Sequence, residues 1–380
     1  MLHEAELQCS IGTTRLNYGT GTAILKCPVQ AGFSVTFPAP SMDKTKCPPA
    51  IATEQLMHIP DGFLSTEVCA VTTALSLGAV GYSLHKLKDS LADRTVPMTG
   101  MMAALIFAGQ MVNFPLIGTS GHLIGGVLAA VILGPWAGCL ALTLVLFVQC
   151  LLFGDGGIVA LGTNILHMGV VGAIGGYAIY ATIRRFARNT GTGTIVAAVV
   201  ASWITVMAGA ALFCLEFRLS QSADDFEFLN AFTLMVTVHS AIGIGEALIT
   251  GVIVSLVLKQ RPDLVYEPES EGNRVVGLQR VFAAGVVVAL AVAAFLAPFA
   301  SSLPDGLESV AMRTGIEQLN KRANHSLLSD YDIPIATESW PMLSVSLAGI
   351  VGTGSVLVIA LLLGRAFRLR PSFVDATSGE

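Results

Sequence analysis

Between residues 95 and 183 this chain carries one formally charged side chain, Asp155. A water-facing surface cannot be built from such a segment. Apolar blocks flank it on both sides, and about 20 apolar residues at 1.5 Å each cross the roughly 30 Å of a bilayer's hydrocarbon. Across all 380 residues, 53% are hydrophobic and 12% charged, whereas soluble domains are about 25% charged. A soluble fold is excluded. A net charge of −5 without any dense basic run also excludes nucleic acid as a partner, because nothing could neutralise a phosphate track. Membrane lipid is the expected surrounding.

The blocks predict an all-α polytopic membrane bundle of nine spans. They fall at 63–84, 98–115, two within 122–153, then 158–183, 194–215, 231–258, 275–299 and 342–363. The long 122–153 stretch divides at Gly134-Pro135, since proline breaks a helix interior. Seven spans within residues 57–260 form a core. A linker, 261–274, leads to a module of two spans, 275–364, around a loop at 302–340, and a basic tail occupies 365–380. Lysines and arginines collect in alternate loops, among them Lys86, Arg94, Arg184, Lys259 and Arg365. The positive-inside rule makes those loops cytoplasmic, with Met57 outside and the C-terminus inside the cell membrane. Residues 1–56 lack the apolar run of a secretory signal. They read as a polar extension, either disordered or upstream of a natural start at Met57. The seven cysteines form no CxxC; Cys69, Cys139, Cys150 and Cys214 fall in apolar stretches, as small buried hydrophobes do.

Polar groups inside the apolar region are few: His58, Gln110, Asn113, Ser120, His122, Asn164, His167, His239 and Glu246. An ionisable group at membrane depth costs about 2.5–3.5 kcal/mol, so each is a functional candidate. Met57-His58-Ile59-Pro60-Asp61-Gly62 is the most suggestive run. In a chain beginning at Met57, the terminal amine, the His58 backbone nitrogen and the His58 imidazole would close two chelate rings on one cation. Planar nitrogen donors favour Ni(II) or Cu(II), with Co(II) weaker. His122 is a plausible fourth donor. His239 and Glu246, seven residues apart, share a helix face; they read as a second metal site, a proton relay or interhelical hydrogen-bonding groups. His167 follows Asn164 by three residues and reads as support for a ligand or as packing.

The run Met57–Leu64 (MHIPDGFL) resembles the start of the CbiM/NikM cobalt and nickel permeases. Asn113-Phe114-Pro115, the glycine-rich 118–125 segment, 164–169 and 239–250 (HSAIGIGEALIT) are similar to that family as well. The stretch Pro304-Asp305-Gly306-Leu307-Glu308 resembles the PDGLE module, a small auxiliary subunit of the same systems. The resemblance implies a substrate-specific component of an energy-coupling-factor ABC transporter. It implies a metal held by the amine and His58 at Met57-His58 and by His122; beside these, Asp61, Ser120, Asn164, His239 and Glu246 are candidates for supporting or structural groups. It also implies a transmembrane coupling subunit and separate ABC ATPase subunits as partners, and this chain has no P-loop of its own. No cofactor or catalytic residue is expected; Ni(II) or Co(II) is the transported ligand. The alternative is a secondary metal transporter or channel using Glu246 and His239 without ATPase partners.

Overall fold

A computed structural model of the chain describes residues 5–9, 12–16, 18–19, 22–23, 57–88, 95–116, 118–187, 190–221, 225–267, 277–320, 326, 328, 331, 333 and 340–368. The linker beyond Glu267, the tail beyond Arg368 and most of the 302–340 loop after Asn320 lie outside the described residues. Residues 1–53 and 54–380 are separate units. In the first, β1 (Ala5–Cys9) pairs antiparallel with β2 (Gly12–Leu16), and β3 (Tyr18–Gly19) with β4 (Thr22–Ala23). Two-stranded ribbons of this size have little stability of their own.

The second unit opens with α1 (Thr66–Leu87), where Ser65 Oγ accepts the Val68 N–H at 3.4 Å, a side-chain cap. Its polarity is inverted relative to a soluble helix. Thr72, Ser76 and Ser83 are buried, while Val71, Leu75 and Leu77 are exposed. Thr72 shares a 2.7 Å hydrogen bond with Thr163, and Ser76 donates to the Gly162 carbonyl at 2.6 Å. The inward hydroxyls are satisfied and the outward face suits lipid.

Among the described residues, seven helices are long and apolar enough to cross a membrane. The nine predicted spans correspond to nine helical segments, but two of these are short. α2 (Thr95–Gln110) has 16 residues and is almost wholly buried. The chain then leaves the helix through a hairpin, β5 (Phe114–Leu116) and β6 (Thr119–Gly121), with Phe114 opposite Gly121. Residues 122–125 are not helical, and α3 (Gly126–Leu133) has only 8 residues. His122 therefore precedes a short helix instead of opening a full span. Irregular backbone at this depth is tolerated because protein covers it; Thr119 and Ser120 are both buried.

The break at Gly134-Pro135 is where the sequence places it. Gly134 takes a φ of 85°, and Pro135 fills the first turn of α4 (Pro135–Val148), where a missing N–H costs nothing. A π-helical segment, Gln149–Phe153, prolongs α4. α5 (Leu161–Ile165), a π segment (Leu166–Gly175) and α6 (Gly176–Phe186) follow as one rod. It crosses α3 so closely that a Cβ on Gly126 would stand 2.6 Å from the Gly172 carbonyl carbon. α7 (Gly191–Ser220) and α8 (Asp225–Gln260) form a long hairpin. On α8, Leu248, Val252 and Leu256 face outward at a four-residue spacing, while Glu246 and Thr250 are buried.

The remaining helices are α9 (Leu278–Ala291), prolonged to Phe299, the short α10 (Gly306–Thr314) and α11 (Pro341–Arg368). α9 and α11 pack on α2. Ala104, Ala108, Ala289 and Ala293 form a fully buried cluster there, and Gly100 leaves room for Ala360. Small residues let helix backbones approach closely in lipid.

Candidate metal centre

Residues 57–64 fold back into the bundle, and Met57, His58, Ile59, Phe63 and Leu64 are all buried. Two of the sequence candidates hold them there. Asp61 receives three backbone N–H groups, from Ile158 at 3.1 Å, Val159 at 2.9 Å and Ala160 at 3.0 Å. Asn164 clamps Ile59 from both sides: its Oδ1 accepts the Ile59 N–H at 3.0 Å, and its Nδ2 donates to the Ile59 carbonyl at 3.1 Å. Gly157 N–H adds a 3.0 Å bond to the same carbonyl. The segment carrying His58 is thereby fixed to the turn that follows α4.

His58 and His122 meet, with ring centroids 6.0 Å apart and planes tilted by 49°. His122 Nδ1 lies 3.3 Å from the Leu123 carbonyl; a proton on Nδ1 would satisfy that contact and leave Nε2 as the nitrogen with a free lone pair. Met57 and His122 line the same cavity. His58 Nδ1 stands 2.9 Å from Asp155 Oδ1, without hydrogen-bond alignment, and His58 Nε2 is buried with no hydrogen-bond partner. Asp155 Oδ2 accepts a 2.6 Å bond from the Tyr331 hydroxyl, whose ring stacks on Phe153 at 4.6 Å. Among the described residues, no three His, Cys, Asp or Glu side chains converge as a metal site. Two imidazoles converge, and Met57 lines the same space.

A cavity of about 120 Å³ adjoins the pair, lined by Met57, His58, His122, Asn164, His167 and His239, among others. The 302–340 loop reaches it. Ser120 N–H donates to the Pro304 carbonyl at 2.8 Å and Ser120 Oγ to the Leu303 carbonyl at 2.7 Å, while Thr119 Oγ1 donates to Pro304 at 3.0 Å. Asp305, Gly306 and Leu307, from the start of α10, line the same space.

His239 and Glu246 engage different partners. His239 lines the cavity and its Nδ1 lies 2.9 Å from the Met235 carbonyl. Glu246 instead takes the Ile124 and Gly125 N–H groups at 2.7 and 2.9 Å, ahead of α3. His167 bonds Glu216 at 2.7 Å. Asp155, Glu216 and Tyr331 were not singled out as site residues from sequence. For Asp155 a signal existed, its isolation as the one formal charge in residues 95–183. Cys69, Cys139, Cys150 and Cys214 are buried free thiols.

Residues 58–264 match the family described as the cobalt uptake substrate-specific transmembrane region, CbiM, and residues 279–369 match the PDGLE domain. The chain is 35% identical over 316 residues to the NikMN protein named for fused nickel transport in Archaeoglobus fulgidus, covering 82% of this chain and 99% of that one. It is 30% identical over 213 residues to the cobalt transport protein CbiM of Sorangium cellulosum, covering 55% and 94%. A crystal structure of a truncated transition metal transporter is 32% identical, with a TM-score of 0.48, over 53% of this chain and 99% of that one. The chain belongs to the CbiM family and carries a PDGLE domain fused behind the CbiM region.

Proposed function

We propose that this multi-pass membrane protein captures Ni(II) or Co(II) from the external side and passes it across the cell membrane. It acts as a transport component and not as an enzyme, as the names of its relatives indicate. The observation carrying this reading is the meeting of His58 and His122 at one buried point in a cavity that Met57 also lines. A terminal amine at Met57 and the His58 backbone nitrogen would complete a four-nitrogen set, the donor type suited to nickel. The reading requires a functional chain beginning at Met57, one residue ahead of the family match.

The His58 chelate ring closes through Nδ1, the nitrogen now beside Asp155. Chelation and that contact exclude each other, so loading turns the ring and leaves the Asp155 carboxylate as a nearby negative charge. The PDGLE loop, bonded to Thr119 and Ser120 just ahead of His122, acts as the external cover through which the cation is loaded. Energy comes from a transmembrane coupling subunit and separate ABC ATPases, as the family resemblance implies, and ATP is handled outside this chain, whose sequence has no P-loop. The alternative, proton coupling through Glu246, asks a carboxylate already engaged by two backbone donors to release and rebind protons.

The test uses tag-free protein beginning at Met57. About one tightly bound metal per chain is expected, lost in His58→Ala and in His122→Ala and lost on acetylating the amine. Competition between Ni(II) and Co(II) on that protein assigns the preferred ion. Unchanged affinity after acetylation would refute the amine ligand, and uptake by the chain without ATPase partners would refute the energy-coupling assignment.

A further inference from the structure

The cavity beside His58 and His122 holds two more imidazoles, and each is prepared in the manner of a metal ligand. A ligating histidine has one ring nitrogen tied to a carboxylate or carbonyl, which fixes the tautomer and leaves the other nitrogen's lone pair for the metal. His167 Nε2 is tied to Glu216 Oε2 at 2.7 Å. His239 Nδ1 is tied to the Met235 carbonyl at 2.9 Å. The opposite nitrogens, His167 Nδ1 and His239 Nε2, both face glycines of the cavity lining. A Cβ at Gly209 would stand 3.9 Å from His167 Nδ1, and one at Gly306 would stand 3.1 Å from His239 Nε2. The absence of side chains at those two positions keeps both nitrogens approachable. Both rings line the same cavity of about 120 Å³.

We propose that His167 and His239 form a second, weaker station for the same divalent cation, between the PDGLE cover and the His58–His122 pair. The proposal rests on the metal-capture reading above. Two imidazoles with water filling the other positions bind Ni(II) or Co(II) more loosely than four nitrogens do. Looseness is what a relay requires, since an ion must be held strongly enough to enter and weakly enough to leave. Gly306 belongs to the PDGLE sequence itself, which places the station directly under the loop through which the cation arrives.

The test is Co(II) and Ni(II) titration of the tag-free chain beginning at Met57, read by calorimetry and by the Co(II) visible spectrum. The background is His58→Ala with His122→Ala, which removes the tight site. One weak equivalent is expected to remain. Adding His167→Gln and His239→Asn should weaken it at least about tenfold. These replacements are chosen for geometry. Gln Nε2 reproduces the His167 donor to Glu216, and Asn Nδ2 reproduces the His239 donor to Met235, so the structural bonds persist while the lone pairs go. Cobalt-edge absorption on the His58→Ala, His122→Ala protein should show imidazole scattering. The station is overturned if the weak equivalent is absent, if it survives the Gln and Asn replacements, or if its cobalt shows no imidazole. The parent reading fails separately, if the wild-type chain beginning at Met57 and its His58→Ala, His122→Ala variant bind metal alike.

Discussion

Asp155 is where the fused module reaches the carboxylate beside a candidate ligand. It lies 2.9 Å from His58 Nδ1 on one side and accepts the Tyr331 hydroxyl at 2.6 Å on the other, and Tyr331 comes from the PDGLE module. Once the cation takes Nδ1, the Asp155 carboxylate stays nearby as a negative charge, and an attraction of that kind across a few ångström of protein is worth on the order of 10–100-fold in metal affinity. Asp155→Asn is therefore expected to weaken metal binding by that order, and Tyr331→Phe by about tenfold or less, because the charge stays and only its orienting bond is lost. Competition with a chromophoric chelator measures both; equal affinities in all three proteins would show that Asp155 serves packing alone. His58 and His122 were legible in the sequence because imidazoles are rare at membrane depth. The Asp155 contacts were not, since they join residues separated by 97 and 176 positions, and only the packed bundle brings those together.

At the level of elements, the sequence marks helix ends where glycine and proline force them, as at Gly134-Pro135, and overstates helix length where only apolarity speaks. Nothing in the composition of residues 122–133 distinguishes four non-helical residues from one more helical turn. The Glu246 carboxylate does so, by taking the N–H groups of Ile124 and Gly125. Removing it orphans two buried donors at about 1–3 kcal/mol each. Glu246→Ala should lower the thermal unfolding temperature in detergent markedly. Glu246→Gln, which keeps one acceptor, should lower it less and retain transport; a folded, metal-binding Glu246→Gln protein without transport would instead revive proton coupling. A second element depends on Asp305, which caps α10 by accepting the Glu308 N–H at 2.7 Å. Burial pushes the Asp305 carboxyl well above the ordinary carboxylate range. The folded state thus holds this proton more firmly than the unfolded one, and the stability it contributes falls as pH rises above the usual carboxylate pKa. Asp305→Asn should flatten that pH dependence, whereas Asp305→Ala should cost about 0.5–2 kcal/mol through loss of the cap. Thermal unfolding between pH 4 and pH 8 reads both variants; identical pH profiles for wild type and Asp305→Asn would exclude the buried proton.

For the whole molecule, the fused module is built into the bundle and not merely tethered to it. α2 is 16 residues long, about 24 Å at 1.5 Å per residue, and is enclosed on one side by α9 and α11. In lipid no hydrophobic gain drives these helices together, so shape must do it, through small residues that admit a partner's side chain. Gly352 is the clearest instance. A Cβ there would fall directly on the Phe107 ring, and Gly285 receives Met101 in the same way. Residues 57–267 and 277–368 made as two chains are therefore expected to assemble in the membrane and copurify after detergent extraction. Gly352→Val should reduce that recovery severalfold, because a β-branched side chain cannot enter the space Phe107 occupies. Tyr331 adds a second line of attachment through Asp155, so Tyr331→Phe combined with Gly352→Val should lower recovery further than either alone. Two chains that fail to copurify, or that do so equally well with valine at 352, would mean that the covalent connection and not the helix interface holds the module to the metal-binding core.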